Sequence, residues 1–291
     1  MADEFPKAEG VEHRYVEANG IQVHVAEAGP PDAPPVLLLH GWPQHWYMWR
    51  RVMAALQGEY RLLAPDLRGF GWTEAPGHGY DGGTFAADQV ALLDSLGLER
   101  AHVVGHDWGG WTTFLLGIHH PDRVDRMLVC NDPHPWPRIS LSLALESWRS
   151  WYAWLLAMPV VGRRILTSGW IPRQYMRLNA SLPFNDEEAA IYARSFEDPD
   201  RAQAVVELYR YYQRVAWEIV RGKWRNRRLH RPTLLLFGER DVSLSTKLLP
   251  GYEAYTDDMR VERVPDSGHF IVDEKPDLVI ERTREWLEMG A

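Results

Sequence analysis

The stretch running from His102 to Thr113, HVVGHDWGGWTT, limits what this chain can fold into more than any other. An apolar run ending in Val103 and Val104 meets Gly105, then two side chains capable of chemistry, His106 and Asp107. Gly109 and Gly110 follow, and a helix is predicted from about Trp111. A strand, a sharp turn and a helix in so few residues demand small neighbours, because the backbone crosses crowded conformational space and adjacent segments approach closely. The central side chain is thereby pushed into the open. Where a serine in that slot would attack acyl groups, an aspartate makes the candidate nucleophile a carboxylate. Attack by a carboxylate on an acyl carbon yields only a labile anhydride. Attack on an sp³ carbon displaces an alkoxide or halide and leaves an alkyl ester that water can cleave, so alkyl-group hydrolysis is expected. The competing reading makes Asp107 an ordinary helix-capping residue.

The surrounding pattern is an alternation of strands and helices. Residues 12 to 28 alternate about Asn19-Gly20, the mark of an antiparallel hairpin at a sheet edge. Val36–Leu39 is a continuous apolar run of the kind that suits a parallel strand covered on both faces, and further strands are predicted at 61–64, 101–105, 124–129, 234–237 and 261–264. Helices are predicted at Trp49–Leu56, at 84–96 with Thr84 as cap and Gly97 as stop, and at 276–289. Alternation lapses between residues 136 and 229, where apolar residues recur at helical spacing: Leu145, Trp148, Tyr152, Leu155 and Pro159, then Val206, Tyr209 and Tyr212. The predicted fold is α/β: a mostly parallel sheet flanked by helices, with a core at 1–135 and 230–291 and an inserted helical cap at 136–229.

Composition removes several function classes. A net charge of −8 makes nucleic acid an unexpected partner, the basic segment Arg221–Arg231 being read as solvated. No run is long and apolar enough to span a bilayer, and the start carries no basic-then-apolar leader, so no membrane partner and a cytoplasmic setting are expected. The single cysteine, Cys130, sits in an apolar run and is expected to be buried and inert. Fourteen tryptophans, many between Trp136 and Trp224, are read by default as aromatic core packing, with an aromatic-walled pocket as the other reading. No cofactor and no metal is expected; monomer and homodimer stay equally open.

In open parallel sheets, chemistry gathers at the carboxyl ends of strands. Four such ends carry His40-Gly41-Trp42-Pro43, Asp107-Trp108, Asp241 and His269. His269 is the candidate base that activates water against the ester, and Asp241 the acid that holds its ring and stabilises the imidazolium. Asp132, at the end of the preceding long strand, is the rival acid. The backbone N–H groups of Trp42 and Trp108 are candidate donors to the oxyanion of ester hydrolysis.

Those motifs together resemble the α/β-hydrolase-fold epoxide hydrolases, with haloalkane dehalogenases as near relatives. The likeness rests on HGWPQHWYMWR from His40, DLRGFGWTEAP from Asp66, GHDWGG from Gly105, GERD from Gly238 and GHF from Gly268, and it covers residues 14–288. It implies a covalent ester on Asp107, formed from a small apolar epoxide and hydrolysed to a vicinal diol. It also implies two tyrosines of the cap as donors to the epoxide oxygen. Tyr152, seven residues before Pro159, and Tyr209, in a Tyr-Arg pair, match their contexts; Tyr212 is a substitute for the second, Tyr211 is expected to point away, and His134 is a lesser candidate donor. A phenol has a physical reason to be there, since an alkoxide leaves an apolar pocket poorly without an acid. Two departures bear on the dehalogenase alternative: Trp42 stands where dehalogenases place a halide-binding asparagine, and Trp108 where fluoroacetate dehalogenases place arginine.

Overall fold

The computed structural model describes residues 5–182 and 184–289; the charged start at residues 1–4 lies outside them. In chain order the elements are β1 (Glu12–Ala18), β2 (Ile21–Ala28), β3 (Pro35–Leu39), α1 (Arg50–Leu56), β4 (Arg61–Pro65), α2 (Gly82–Ser95), β5 (Ala101–His106), α3 (Trp108–His119) and β6 (Val124–Cys130). Six helices follow: α4 (Leu141–Ala144), α5 (Trp151–Leu156), α6 (Pro159–Thr167), α7 (Trp170–Asn179), α8 (Asp186–Ala193) and α9 (Pro199–Val220). The chain then returns through β7 (Thr233–Gly238), β8 (Met259–Val264), α10 (Ile271–Glu274) and α11 (Pro276–Glu288).

The strands form one sheet in the order β1-β2-β4-β3-β5-β6-β7-β8. Strand β2 runs antiparallel to both neighbours, and every pair from β4 onward is parallel. The hairpin closes at Asn19 and Gly20, with φ of 49° and 75°, as its tight turn requires. The apolar runs of β3, β5, β6 and β7 are buried along almost their whole length, which is why they read as continuous rather than alternating. The order of strands reverses between β3 and β5, and a crevice opens at such a switch point beyond the carboxyl ends.

Several local expectations need correction. Helix α2 is capped by Asp81, whose side chain accepts from the Thr84 N–H, so Thr84 lies inside the helix. A 3₁₀ turn at Trp46–Trp49 precedes α1. The row Leu145, Trp148, Tyr152, Leu155 and Pro159 is not one buried stripe. The chain changes from a 3₁₀ turn at Ser147–Ser150 to α5 and then to α6, and the change of pitch turns Leu145 and Trp148 outward. With them go Trp151, Trp154 and Trp170, so most tryptophans of this stretch do not wall a pocket.

Candidate active site

Asp107 follows the last residue of β5 and precedes the first of α3, with φ 51° and ψ −122°. Its side chain makes no capping hydrogen bond, which disposes of the helix-cap reading. Glycine is imposed around it by close approach: a Cβ on Gly109 would lie 2.0 Å from the Leu39 carbonyl oxygen, and one on Gly41 would lie 2.3 Å from Asp107 Oδ1. Asp107 Oδ1 accepts from the Trp42 N–H at 2.9 Å. The Trp108 N–H opens α3, among the first amides of the helix, which have no acceptor within it.

His269 follows β8, held by its backbone on two sides. Its own N–H donates to Asn179 O at 2.9 Å, and its carbonyl lies 2.8 Å from His106 Nε2. Glu274 brackets the same loop, accepting from the N–H groups of Gly268 and Phe270. The imidazole Nδ1 stands 2.8 Å from Asp241 Oδ2. Its Nε2 stands 3.3 Å from Asp107 Oδ2, within reach of charge attraction but without hydrogen-bond alignment. Burial works against charge on this ring, but Asp241 and Asp107 outweigh it and push the pKa up to about 10.

Asp241 has every acceptor position filled. Oδ2 also accepts from Asn131 Nδ2 at 2.9 Å, and Oδ1 accepts from the N–H groups of Ser243 and Leu244, each at 2.8 Å. Burial raises its pKa, yet the His269 charge and these donors prevail and hold it below the usual carboxylate value. Asp132 presents the opposite case. It lies beside Gly110, its Oδ2 is buried without a partner, and burial together with the Asp107 charge raises its pKa well above the ordinary value. Of the two rival acids, the geometry gives Asp241 to His269, and Asp132 makes no hydrogen bond to that ring.

Three phenols stand over the carboxylate. Tyr152 on α5 and Tyr209 on α9 meet edge to face, with ring centroids 5.9 Å apart. The edge of Tyr209 also meets the rings of Trp42 and Trp108. Tyr175 on α7, which nothing in the sequence pattern singled out, packs 5.0 Å from Tyr152 and 4.6 Å from Trp42. Its hydroxyl lies 2.9 Å from Ser243 Oγ and 3.3 Å from Tyr152 Oη. Since Ser243 gives its own proton to Asn179 Oδ1, the single Tyr175 proton goes to Ser243, and Tyr152 keeps its own. Burial, above all, raises the pKa of all three, so each is a neutral donor. Tyr212 reaches Ser150 Oγ at 3.0 Å, and Tyr211 faces away, accepting from Trp111 Nε1 at 3.2 Å. His134 drops out as a donor: its Nδ1 accepts from the Trp136 N–H, and its Nε2 lies 2.6 Å from Leu249 O.

The turn motifs are scaffolding. His40 Nε2 accepts from the Leu67 N–H at 2.9 Å, which leaves Nδ1–H to face Gly41 O. Asp66 accepts from the N–H groups of Trp46 and Trp72 and sits 2.8 Å from His24 Nδ1. These bonds fix the turn that presents the Trp42 N–H, across a cis Trp42-Pro43 peptide.

This arrangement of sheet, elbow and strand-end loops carries over to known proteins. The chain belongs to the α/β-hydrolase fold family, whose description matches residues 34–276, and within it stands with the epoxide hydrolases. A Xenopus tropicalis protein named Epoxide hydrolase 3 is 30% identical over 295 residues, covering 95% of this chain and 78% of that protein. The Soluble epoxide hydrolase of a Corynebacterium species is 29% identical over 286 residues, covering 93% and 95% of the two chains. The crystal structure of an epoxide hydrolase from Vigna radiata has a TM-score of 0.78 at 26% identity, over 97% of this chain and 99% of that one.

Proposed function

We propose that this hydrolase opens epoxides to vicinal diols through an ester on Asp107. The observation that carries the reading is His269 set between two carboxylates, 2.8 Å from Asp241 and 3.3 Å from Asp107, beneath phenols that keep their protons. A carboxylate and an imidazolium form the starting pair. As Asp107 attacks a ring carbon, the C–O bond breaks and Tyr152 and Tyr209 hydrogen-bond the departing oxygen. Esterification removes the Asp107 charge, one of the two that hold His269 protonated, so the imidazole loses its proton at the step that needs a base. That proton balances the one gained by the epoxide oxygen. His269 then takes a proton from water as it adds to the ester carbonyl, whose oxyanion faces the Trp42 and Trp108 N–H groups. Collapse of the adduct breaks the bond between the Asp107 carbonyl carbon and the alkyl oxygen, the proton of the new carboxylic acid passes to that oxygen, and release of the diol leaves carboxylate and imidazolium again.

In this reading residues 136–229 form a cap over a core made of 1–135 and 230–291, and the space between admits a small apolar epoxide. The phenols weigh against the haloalkane dehalogenase alternative, because halide departure needs no proton and Trp42 offers no amide side chain to a halide. The deciding experiment is intact-mass analysis of His269→Gln incubated with styrene oxide. The variant should accumulate protein plus one substrate mass, because alkylation proceeds while ester hydrolysis stalls. An epoxide that wild type converts, yet that leaves no adduct on this variant, would overturn the scheme.

A further inference from the structure

The exposed apolar surface is unevenly placed. Among the described residues, the large hydrophobic side chains that face solvent outside residues 139–220 are only Tyr15, Val242 and Met289. The remainder crowd onto the helices between β6 and β7. Trp148, Trp151 and Trp154 recur every third residue through the 3₁₀ turn and α5, a spacing that lines them along one side. They are 68%, 59% and 58% exposed, while Ala153 and Leu156 on the opposite side are buried. Val160 and Val161 continue the exposure on α6, and Trp170, at 60%, and Leu178 continue it on α7. Helix α6 packs against both α5 and α7, so these exposed side chains lie on neighbouring helices.

This surface carries free positive charge although the chain is −8 overall. Of the five arginines in residues 139–182, Arg149 pairs with Glu146, Arg173 with Glu197 and Arg177 with Asp186. Arg163 and Arg164 on α6 are exposed and, among the described residues, enter no ion pair. A second copy docking face to face would set these arginines against themselves, since a two-fold interface pairs a patch with itself. Exposed tryptophans interleaved with arginine match a different partner. The indole ring is apolar with one polar edge, suited to the boundary between acyl chains and headgroups, and arginine suits phosphate.

We infer that the α5–α7 face docks this protein onto an anionic lipid surface. This is peripheral binding; no helix among the described residues is long and apolar enough to cross a membrane, and the expectation of no membrane partner drew on the lack of such a run. The inference stands apart from the epoxide reading, because none of these side chains belongs to the proposed chemistry.

The test uses the full chain with vesicles of phosphatidylcholine alone and of phosphatidylcholine with phosphatidylglycerol. Co-sedimentation should show at least about tenfold tighter binding to the anionic vesicles. Tryptophan emission should shift to the blue and be quenched by bromine-labelled acyl chains. The combined change Trp148→Ser, Trp151→Ser and Trp154→Ser should lose binding by about tenfold or more, with an unchanged melting curve as evidence of folding. Arg163→Glu with Arg164→Glu should abolish the preference for anionic vesicles. Absence of wild-type binding to either vesicle, or equal binding by the folded triple variant, would overturn the inference. So would light scattering that shows a wild-type dimer which the triple variant dissolves, because the face would then bind protein.

Discussion

The floor and the roof of the site are held by different forces. On the floor, Asp107, Asp241 and His269 leave the ends of parallel strands, and main-chain hydrogen bonds fix each: Trp42 N–H on Asp107, Ser243 and Leu244 N–H on Asp241, Asn179 O on the His269 amide. On the roof, the tyrosines project from separate helices and are located by ring packing and by bonds between side chains. Main-chain bonds leave little room for adjustment, whereas packed rings move whenever a helix shifts. The difference teaches where tolerance lies: the carboxylates and the imidazole are held at several points, and the phenols are free to follow their helices.

The sharpest way to break the comparison is at the nucleophile. Asp107→Asn should lower diol formation by about 10⁴-fold or more, since an amide cannot replace the carboxylate. Single turnover of wild type in ¹⁸O-water should leave the first diol largely unlabelled, and immediate full labelling would point to direct attack by water. Next comes the pair of acids. Asp241→Asn should cost about 10⁴-fold by upsetting the His269 tautomer and charge, while Asp132→Asn, at a side chain that makes no hydrogen bond to His269, should stay within about tenfold. Steady-state kinetics that ranked the two in reverse would move the acid to the end of β6.

Roof changes should be milder and graded. Tyr152→Phe and Tyr209→Phe should each slow alkylation by about 10²- to 10³-fold, the loss of one of two oxygen donors being worth ~2–4 kcal/mol. Tyr211→Phe should match wild type, because its hydroxyl is engaged by Trp111. Stopped-flow tryptophan fluorescence would measure the alkylation step, and wild-type rates in both single variants would remove the phenols from the chemistry. The smallest effect concerns stability. His269 binds its proton more tightly when folded, with pKa near 10 against 6.5 for the free side chain. Its contribution is therefore complete below about pH 6.5 and is lost as pH rises toward 10. The melting temperature of wild type should fall more between pH 7 and pH 10 than that of His269→Gln; parallel curves would contradict the ion pair.

Asp107 and Asp241 could be read in the sequence because each follows closely on an apolar run, and such runs are strands wherever both faces are covered; His269 follows the charged strand β8 and was marked by its Gly-His-Phe turn. The elbow was legible from its small residues, which let α3 approach the end of β3 at Gly109. Roof residues followed only where a known family supplied context, as for Tyr152 and Tyr209. Tyr175 carried no signal, since its place over Asp107 depends on how α7 lies on the core. Asn131, bonded to Asp241, and His106, beside the His269 carbonyl, act through contacts between segments far apart in the chain. The outward tryptophans were misread as core or pocket wall because aromatic periodicity does not say which side of a helix meets solvent.

Helix α9 lies close on the core, as does the end of α7, where a Cβ on Gly268 would come within 2.6 Å of Asn179 O. A Cβ on Gly69 would come within 2.6 Å of Ala204, and one on Gly82 within 2.5 Å of the Tyr211 hydroxyl. Arg201 further binds the Phe70 and Thr73 carbonyls of the Asp66 loop. In the proposed reaction Tyr209 and Asp107 would mark the two ends of the bound epoxide, oxygen at one and attacked carbon at the other. On that proposal, changes in α5 to α7 would bear on which mirror-image epoxide is accepted, while bulk at Gly69 or Gly82 would press on α9 and on the oxygen donor it carries.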